Sequence, residues 1–227
     1  MGQRLDTALV DRGLAPTRAR ARDAILRGHV TVAGRVAAQP AQTVEADTAI
    51  AIDDPAAGYV STGRTALDLG ASTGGFTQVL LERGARKVFA VDVGHGQLAA
   101  ALAADPRVVS REGLNARDLS EADLGEPVEA VVADMSFISL RLALPPALRL
   151  AAAGAWGVFL VKPQFEVGRE HVGKGGIVRD PERGGRAAAD IADWLETEMG
   201  WRVAGLILSP IEGGDGNREF LIGASRG

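Results

Sequence analysis

The sequence predicts an α/β fold: a doubly wound, mainly parallel sheet with an antiparallel last strand, preceded by a small α+β unit. Three observations predict it. From Thr65 onward, short apolar runs alternate with helical stretches, the pattern of a parallel sheet covered on both faces. A glycine-rich turn, Gly70 to Gly75, follows the first of those runs. The residues before that point carry a different pattern, two short helices followed by short strands, and the first 35 of them hold an excess of positive charge. The expected division is residues 1–57, a linker at 58–64, and residues 65–227.

In the first unit, Leu5, Ala8 and Leu9 lie at helical spacing and Gly13 is placed to end that helix. Thr17, after Pro16, is placed to cap a second helix carrying Ala21, Ala24 and Ile25, which Gly28 ends. Arg18 and Arg22 are four apart and share a face of it. His29–Arg35 reads as a strand entering a turn, and Ala49–Ile52 as a second strand, broken by Asp53-Asp54-Pro55. Residues 1–35 hold seven arginines and three acids, a balance of +4 in a chain of net charge −4, so the remainder carries −8.

That unit resembles an S4 RNA-binding domain through Arg4-Leu5-Asp6, Leu9, Gly13-Leu14, Thr17-Arg18, Ala21, Ile25, Gly28-His29-Val30 and Val32-Ala33-Gly34. The resemblance implies RNA contacts by Arg4, Arg18, Arg22 and Arg27. Guanidinium forks suit phosphate oxygens. Ala33 stands where asparagine is common in such domains.

In the second unit, strands are expected at Thr65–Gly70, Lys87–Val93, Val128–Asp134, Ala155–Lys162 and Trp201–Leu208. Helices are expected near Thr73–Arg83, Gln97–Ala104, Leu140–Ala152 and Pro181–Met199. Arg218–Gly223, after a turn-rich stretch, reads as an antiparallel return strand. The whole is the pattern of a Rossmann-like, S-adenosylmethionine-dependent methyltransferase sheet.

Ligands of such sheets bind at the carboxyl ends of the strands. Asp68-Leu69-Gly70 ends the first strand, and Gly70, Gly74 and Gly75 let the backbone approach a ligand closely. The turn reads Gly-x-x-x-Gly-Gly and lacks the Gly-x-Gly-x-x-Gly pyrophosphate fingerprint. Asp68 suits an ammonium better than a pyrophosphate, and Asp92, ending the second strand, is placed for ribose hydroxyls. The expected ligand is S-adenosyl-L-methionine, held by Asp68, Gly70, Ser72, Gly74, Gly75, Phe76, Asp92 and Asp134.

The chain has no cysteine, which excludes a covalent cysteine adduct on a pyrimidine and thiolate-held metals. Three scattered histidines have no ligand spacing, so no metal is expected. No apolar run reaches the roughly 18 residues of a membrane span, and the expected setting is cytoplasmic. Asp134-Met135-Ser136-Phe137 is not the Asn/Asp-Pro-Pro-aromatic sequence of exocyclic amine methylation, which favours a hydroxyl acceptor. Asp134, Lys162 and Glu219 fall at strand ends that converge, so a lysine flanked by carboxylates is the candidate catalytic set.

Asp68–Phe76, Val91–Leu98, Asp134–Ser139, Lys162–Glu166 and Gly214–Phe220 together resemble the TlyA family, which joins an S4 domain to an FtsJ-like methyltransferase domain. Its members have also been called hemolysins. The resemblance spans almost the whole chain. It implies methylation of ribosomal RNA, free or in ribosomal subunits, at a ribose 2′-hydroxyl, usually of cytidine.

The family carries a Lys-Asp-Lys-Glu tetrad, and Asp134, Lys162 and Glu219 match its last three members. Its first lysine belongs to a stretch after Tyr-Val-Ser, followed by a helix. Here Tyr59-Val60-Ser61 runs through Thr62-Gly63-Arg64 directly into Thr65, about twenty residues short, the length of a brief helix and its loop. Lys87 precedes the second strand at the opposite sheet edge, and Arg64 is left as a source of charge but not as a base. The shortening is expected to expose apolar sheet surface. It motivates a second reading: an RNA-binding protein that keeps the cofactor fold with weak or no turnover.

Overall fold

The computed structural model describes residues 2–15, 18–26, 28–52, 61–210 and 216–227. The expected Thr17 cap, Arg27, residues 58–60 of the expected linker and Gly214-Asp215 lie outside the described residues. The chain divides into two compact units, Met1–Gly58 and Tyr59–Gly227.

The first unit contains β1 (Gln3–Arg4), α1 (Leu5–Asp11), α2 (Arg18–Leu26), β2 (Val30–Val32), β3 (Arg35–Val36), β4 (Thr43–Val44) and β5 (Ile50–Ile52). Leu5, Ala8, Leu9, Ala21, Ile25, Val30 and Val44 form its core. Gly13 ends α1 as expected, with a left-handed φ of 68° that turns the chain so that Leu14 N–H donates back to Leu9. The expected strand entering a turn at His29–Arg35 is present as β2 and the turn after it, and the turn closes a hairpin with β3. β2 and β3 pair antiparallel around Ala33 and Gly34, at φ 49° and 78°, a two-residue turn that needs positive φ at both positions. β1, β3 and β4 have two residues each, too few to show an alternating pattern.

The second unit contains β6 (Thr65–Leu69), α3 (Gly75–Glu82), β7 (Lys87–Asp92), α4 (Ala100–Ala103), β8 (Val108–Glu112), α5 (Glu121–Leu124), β9 (Val128–Ala133), α6 (Leu140–Leu150), β10 (Ala151–Val161), α7 (Pro181–Thr197), β11 (Trp201–Leu208) and β12 (Phe220–Arg226). They build a seven-stranded sheet of order β11-β12-β10-β9-β6-β7-β8. β10, β9, β6, β7 and β8 pair in parallel, and β12 is antiparallel to both β10 and β11. The return strand is therefore confirmed, inserted between its neighbours rather than added at the edge. β8 was not anticipated, because only Val108 and Val109 are apolar and Ser110, Arg111 and Glu112 are exposed on an edge strand. α4 keeps only four residues of the expected Gln97–Ala104 helix.

α6 and α7 cover one face of the sheet, where Ala143, Leu144, Ile191 and Trp194 meet Leu67, Val131, Phe159, Trp201 and Ile222. On the other face Leu80 and Leu81 of α3 meet Ala66, Val88, Ala130 and Trp156. The register pairs Leu160 with Leu221, and Leu221 with Ile207, so these three share a face. There Leu160 and Leu221 are half-buried and Ile207 is 59% exposed. Part of the apolar surface on this face of the sheet is thus exposed.

That junction docks at the amino ends of the strands. Buried Ser61 donates its hydroxyl to the carbonyls of Leu80 (3.2 Å) and Arg83 (3.0 Å), and Gly63 N–H donates to Gly84. No helix among the described residues is long and apolar enough to cross a membrane.

Candidate active site

β7 and β8 extend the sheet from one side of β6, and β9 lies on its other side. This change of direction opens a crevice at the carboxyl ends, the usual ligand position in such sheets. A cavity of about 910 Å³ lies there, lined by residues that follow β6, β7, β8, β9 and β10. Its size lies in the range that takes a small-molecule ligand.

Of the residues expected to hold a cofactor, Gly70, Ser72, Asp92 and Asp134 line the cavity; Asp68, Gly74, Gly75 and Phe76 do not. Gly70 has φ 75°, and a Cβ there would lie 2.3 Å from the Asp134 carbonyl oxygen. Its close approach is therefore to the neighbouring strand end. A Cβ on Gly74 (φ 97°) would meet Leu102 at 2.3 Å, whereas one on Gly75 would meet nothing within 4 Å. Phe76 packs against the core beneath α3. Ser72 is also left-handed, at φ 46°. Its N–H donates to Asp92 Oδ2 (2.9 Å) and its hydroxyl to Gln97 Oε1 (3.1 Å). Asp92 Oδ1 accepts from Gly94 N–H at 2.7 Å, so the carboxylate expected to meet a ribose is already fixed by two backbone donors.

Asp68 is buried beneath the turn, with Oδ2 accepting from the Thr77 hydroxyl at 2.7 Å. Burial pushes its carboxyl up to about 6, the Thr77 bonds oppose this, and the charges of Asp134 and Asp92 add to the rise. The three carboxylates thus lie close enough for their charges to interact, Asp68 buried and Asp92 and Asp134 on the cavity wall.

Lys162 follows β10, next to β9; it touches Asp134 and Ser136 of the cavity wall, but neither it nor Glu219 lines the cavity. Its Nζ lies 2.6 Å from Asp134 Oδ1 and donates to Ser136 Oγ at 3.0 Å. The register pairs Phe220 with Val161, which places buried Glu219 one position beyond, at the level of Lys162. The structure therefore brings Asp134 and Lys162 into contact and sets Glu219 on the adjoining strand. Arg64 is a correction to the sequence reading. It precedes β6, at the amino end of the sheet, and donates to the carbonyls of Glu129 and Gly154, so it supplies no charge to the catalytic end. Lys87, also at the amino end, pairs with Glu126 at 2.5 Å.

Sequence reasoning missed three parts of the cavity wall. Leu114, Asn115 and Ala116 follow the unrecognised β8. Gln97 sits before α4. Phe137 stands at the rim, 91% exposed and left-handed at φ 67°, with its ring 5.4 Å from that of Phe165. The available signal for Phe137 was an aromatic side chain within a strand-end loop. No group of three His, Asp or Glu residues that could hold a metal occurs among the described residues.

Residues 50–226 match the FtsJ-like methyltransferase family, and residues 3–50 match the S4 domain. The chain belongs to the FtsJ-like methyltransferase family. It is 44% identical to the 16S/23S rRNA (cytidine-2′-O)-methyltransferase TlyA of Mycobacterium tuberculosis, over 96% of this chain and 88% of that protein. A solved hemolysin-named protein from Streptococcus thermophilus is 34% identical and superimposes with TM-score 0.71, over 99% of this chain and 88% of that one. A SAM-dependent methyltransferase from Methanosarcina mazei shares the fold alone, at 18% identity and TM-score 0.53 over 74% of this chain and 94% of that one. The match to the TlyA protein spans 237 positions, more than the 227 residues of this FtsJ-like chain. That relative therefore carries residues without a counterpart here.

In the S4 unit, Arg4 donates from Nε and Nη2 to both oxygens of buried Asp6, and Arg18 Nη2 donates to Asp6 Oδ2 at 3.1 Å. These bonds hold the Asp6 carboxyl far below the usual range. Both arginines remain half-exposed, so one carboxylate orients two forks while leaving their outer edges to solvent. Arg22 is exposed.

Proposed function

We propose that this chain transfers a methyl group from S-adenosylmethionine to a ribose 2′-hydroxyl of ribosomal RNA, cytidine being the expected nucleoside, with the S4 unit contributing RNA affinity. The observation that carries this reading is the Lys162–Asp134 contact of 2.6 Å at the cavity's edge. A protonated lysine has three N–H donors. Ser136 accepts one of them and Asp134 Oδ1 forms an ion pair with the ammonium at 2.6 Å, leaving donor capacity for an acceptor oxygen.

The proposed cofactor fits the negative region. It carries an ammonium and a sulfonium, which Asp68, Asp92 and Asp134 favour and which a pyrophosphate would not match. Its sulfonium supplies an already activated methyl group. What remains for the protein is to aim the hydroxyl and take its proton. Lys162 Nζ stabilises the charge developing on the hydroxyl oxygen, and the carboxylates of Asp134 and Glu219 offer acceptors for the proton. The exposed ring of Phe137 offers a face on which the acceptor base stacks. Arg4, Arg18, Arg22 and Arg27 supply phosphate contacts. The reaction is set in the cytoplasm, where ribosomal RNA is found.

The test is incubation with labelled cofactor and intact ribosomal subunits of both sizes, followed by mapping of ribose methylation. Labelled 2′-O-methylcytidine that falls about a hundredfold in Lys162→Ala supports the enzyme, the scale expected when a transition-state contact is removed. The position of Arg64, far from Lys162, favours a second reading as an RNA-binding protein without efficient turnover. Cofactor binding with no transfer to either subunit would establish that reading instead.

A further inference from the structure

We infer that Glu166 is a positioning residue of the acceptor site, clamping the Asp134–Ser139 loop against the turn that carries Lys162. The inference rests on the reading of Lys162 and Asp134 given above. Pro163 follows Lys162 immediately and opens a single 3₁₀ turn, Pro163–Phe165. Its fixed φ suits that first position. Phe165 N–H donates to Lys162 and Glu166 N–H to Pro163, at 3.0 and 2.9 Å. Glu166 therefore stands at a set distance from Lys162.

Its side chain reaches the start of α6. Oε2 accepts from the Ser139 hydroxyl at 2.6 Å, and Oε1 from Leu140 N–H at 2.8 Å. A carboxylate at a helix amino terminus satisfies donors that have no intrahelical partner. Ser139 is itself the cap of α6, accepting from Arg141 N–H at 3.2 Å. The loop between β9 and α6 is thus tied to the Lys162 turn at both ends. Lys162 holds Asp134 and Ser136, Glu166 holds Ser139 and Leu140, and the Phe137–Phe165 ring contact lies between.

The loop needs such a tie. Phe137 is left-handed and 91% exposed, so neither burial nor backbone preference keeps it there. Without Glu166 the loop is free to relax, carrying Phe137 and Ser136 away from Lys162, while Asp134, whose N–H donates to Leu69 at 3.0 Å, stays at the strand end. The cofactor turn at Gly70–Gly74 bonds to β7 and to Asp92, and Gly70 packs against the main chain of Asp134 at the strand end, so the turn is held independently of Glu166.

The experiment compares Glu166→Ala, Glu166→Gln, Ser139→Ala and Lys162→Ala in the full chain, with ribosomal subunits as substrate. We expect Glu166→Ala to lower kcat/KM for the RNA at least tenfold, a loss of the kind that misplacement of about 1 Å produces, with cofactor Kd within about twofold. Glu166→Gln keeps an acceptor for Leu140 N–H and gives Ser139 a donor, so it is expected to recover to within about threefold, and Ser139→Ala to fall between the two. If Glu166→Ala fails to fold, the Glu166→Gln and Ser139→Ala values decide. Turnover within about twofold of the parent in Ser139→Ala and in Glu166→Ala where it folds, or cofactor affinity lost in proportion to turnover, would overturn the inference. Unchanged turnover in Lys162→Ala would instead overturn the reading of the site on which it rests.

Discussion

Gly70 and Asp134 end neighbouring parallel strands and approach so closely that a single added carbon on Gly70 would sit 2.3 Å from the Asp134 carbonyl oxygen. The φ of 75° at Gly70 adds a second penalty for any side chain. The glycine of the cofactor turn is thereby coupled to the carboxylate that meets Lys162. Gly70→Ala is expected to lower methyl transfer and cofactor affinity together, each by tenfold or more, because overpacking and left-handed strain cost roughly 1–3 kcal/mol each. Calorimetric titration of the cofactor beside a turnover assay checks it. A loss of turnover alone would place the effect at Asp134 only.

The raised carboxyl of Asp68 gives a pH signature. In the unfolded chain the group titrates near 3.8, and in the folded protein at about 6. Its neutral form is favoured by folding, so its contribution is fully present below the unfolded value and is lost as pH rises through about 6. Asp68→Asn keeps an acceptor for Thr77 and removes the buried charge. It is expected to stabilise the protein at pH 7 by up to about 3 kcal/mol, a gain that vanishes below about pH 4. Melting curves from pH 4 to pH 8 measure it. For the parent protein, affinity for the cationic cofactor is expected to weaken as pH falls below 6, as the carboxylate is neutralised.

Ala33 holds a left-handed conformation in the β2–β3 turn, which asparagine and glycine tolerate better. Ala33→Asn is expected to stabilise the S4 unit by about 0.5–1 kcal/mol. Differential scanning calorimetry shows it as an upward shift of that unit's transition. An unchanged transition would mean the turn is not strained.

Arg22 is exposed on α2, available for a phosphate. Arg22→Ala is expected to weaken RNA binding about equally across sequences and to lower the slope of log K against log salt by about 1. Filter binding at several salt concentrations measures both quantities. An unchanged slope would remove Arg22 from the RNA contacts.

Much of the site was legible because it lies in short local patterns. The Asp68–Phe76 turn follows an apolar run, and Asp134 and Lys162 each stand just past the end of another, so strand periodicity placed all three at one edge of the sheet. β8 was not legible, since two valines beside three exposed polar residues carry no strand pattern, and the wall at Leu114–Ala116 went unseen with it. The roles of the glycines were read too uniformly. Gly70 and Gly74 are required by Asp134 and by Leu102, whereas Gly75 faces open space.

The sequence by itself determined the α/β alternation, the turn at the first strand end and the residue types at the catalytic end, because each is set within a few consecutive residues. Only the tertiary structure decided which of them meet. The contacts of Lys162 with Asp134, Glu166 with Ser139, and Asp6 with Arg18 depend on strand order, register and helix packing. Residues far apart in the chain come together only where long-range hydrogen bonding fixes the order of the strands, and that order leaves no periodic trace in the sequence.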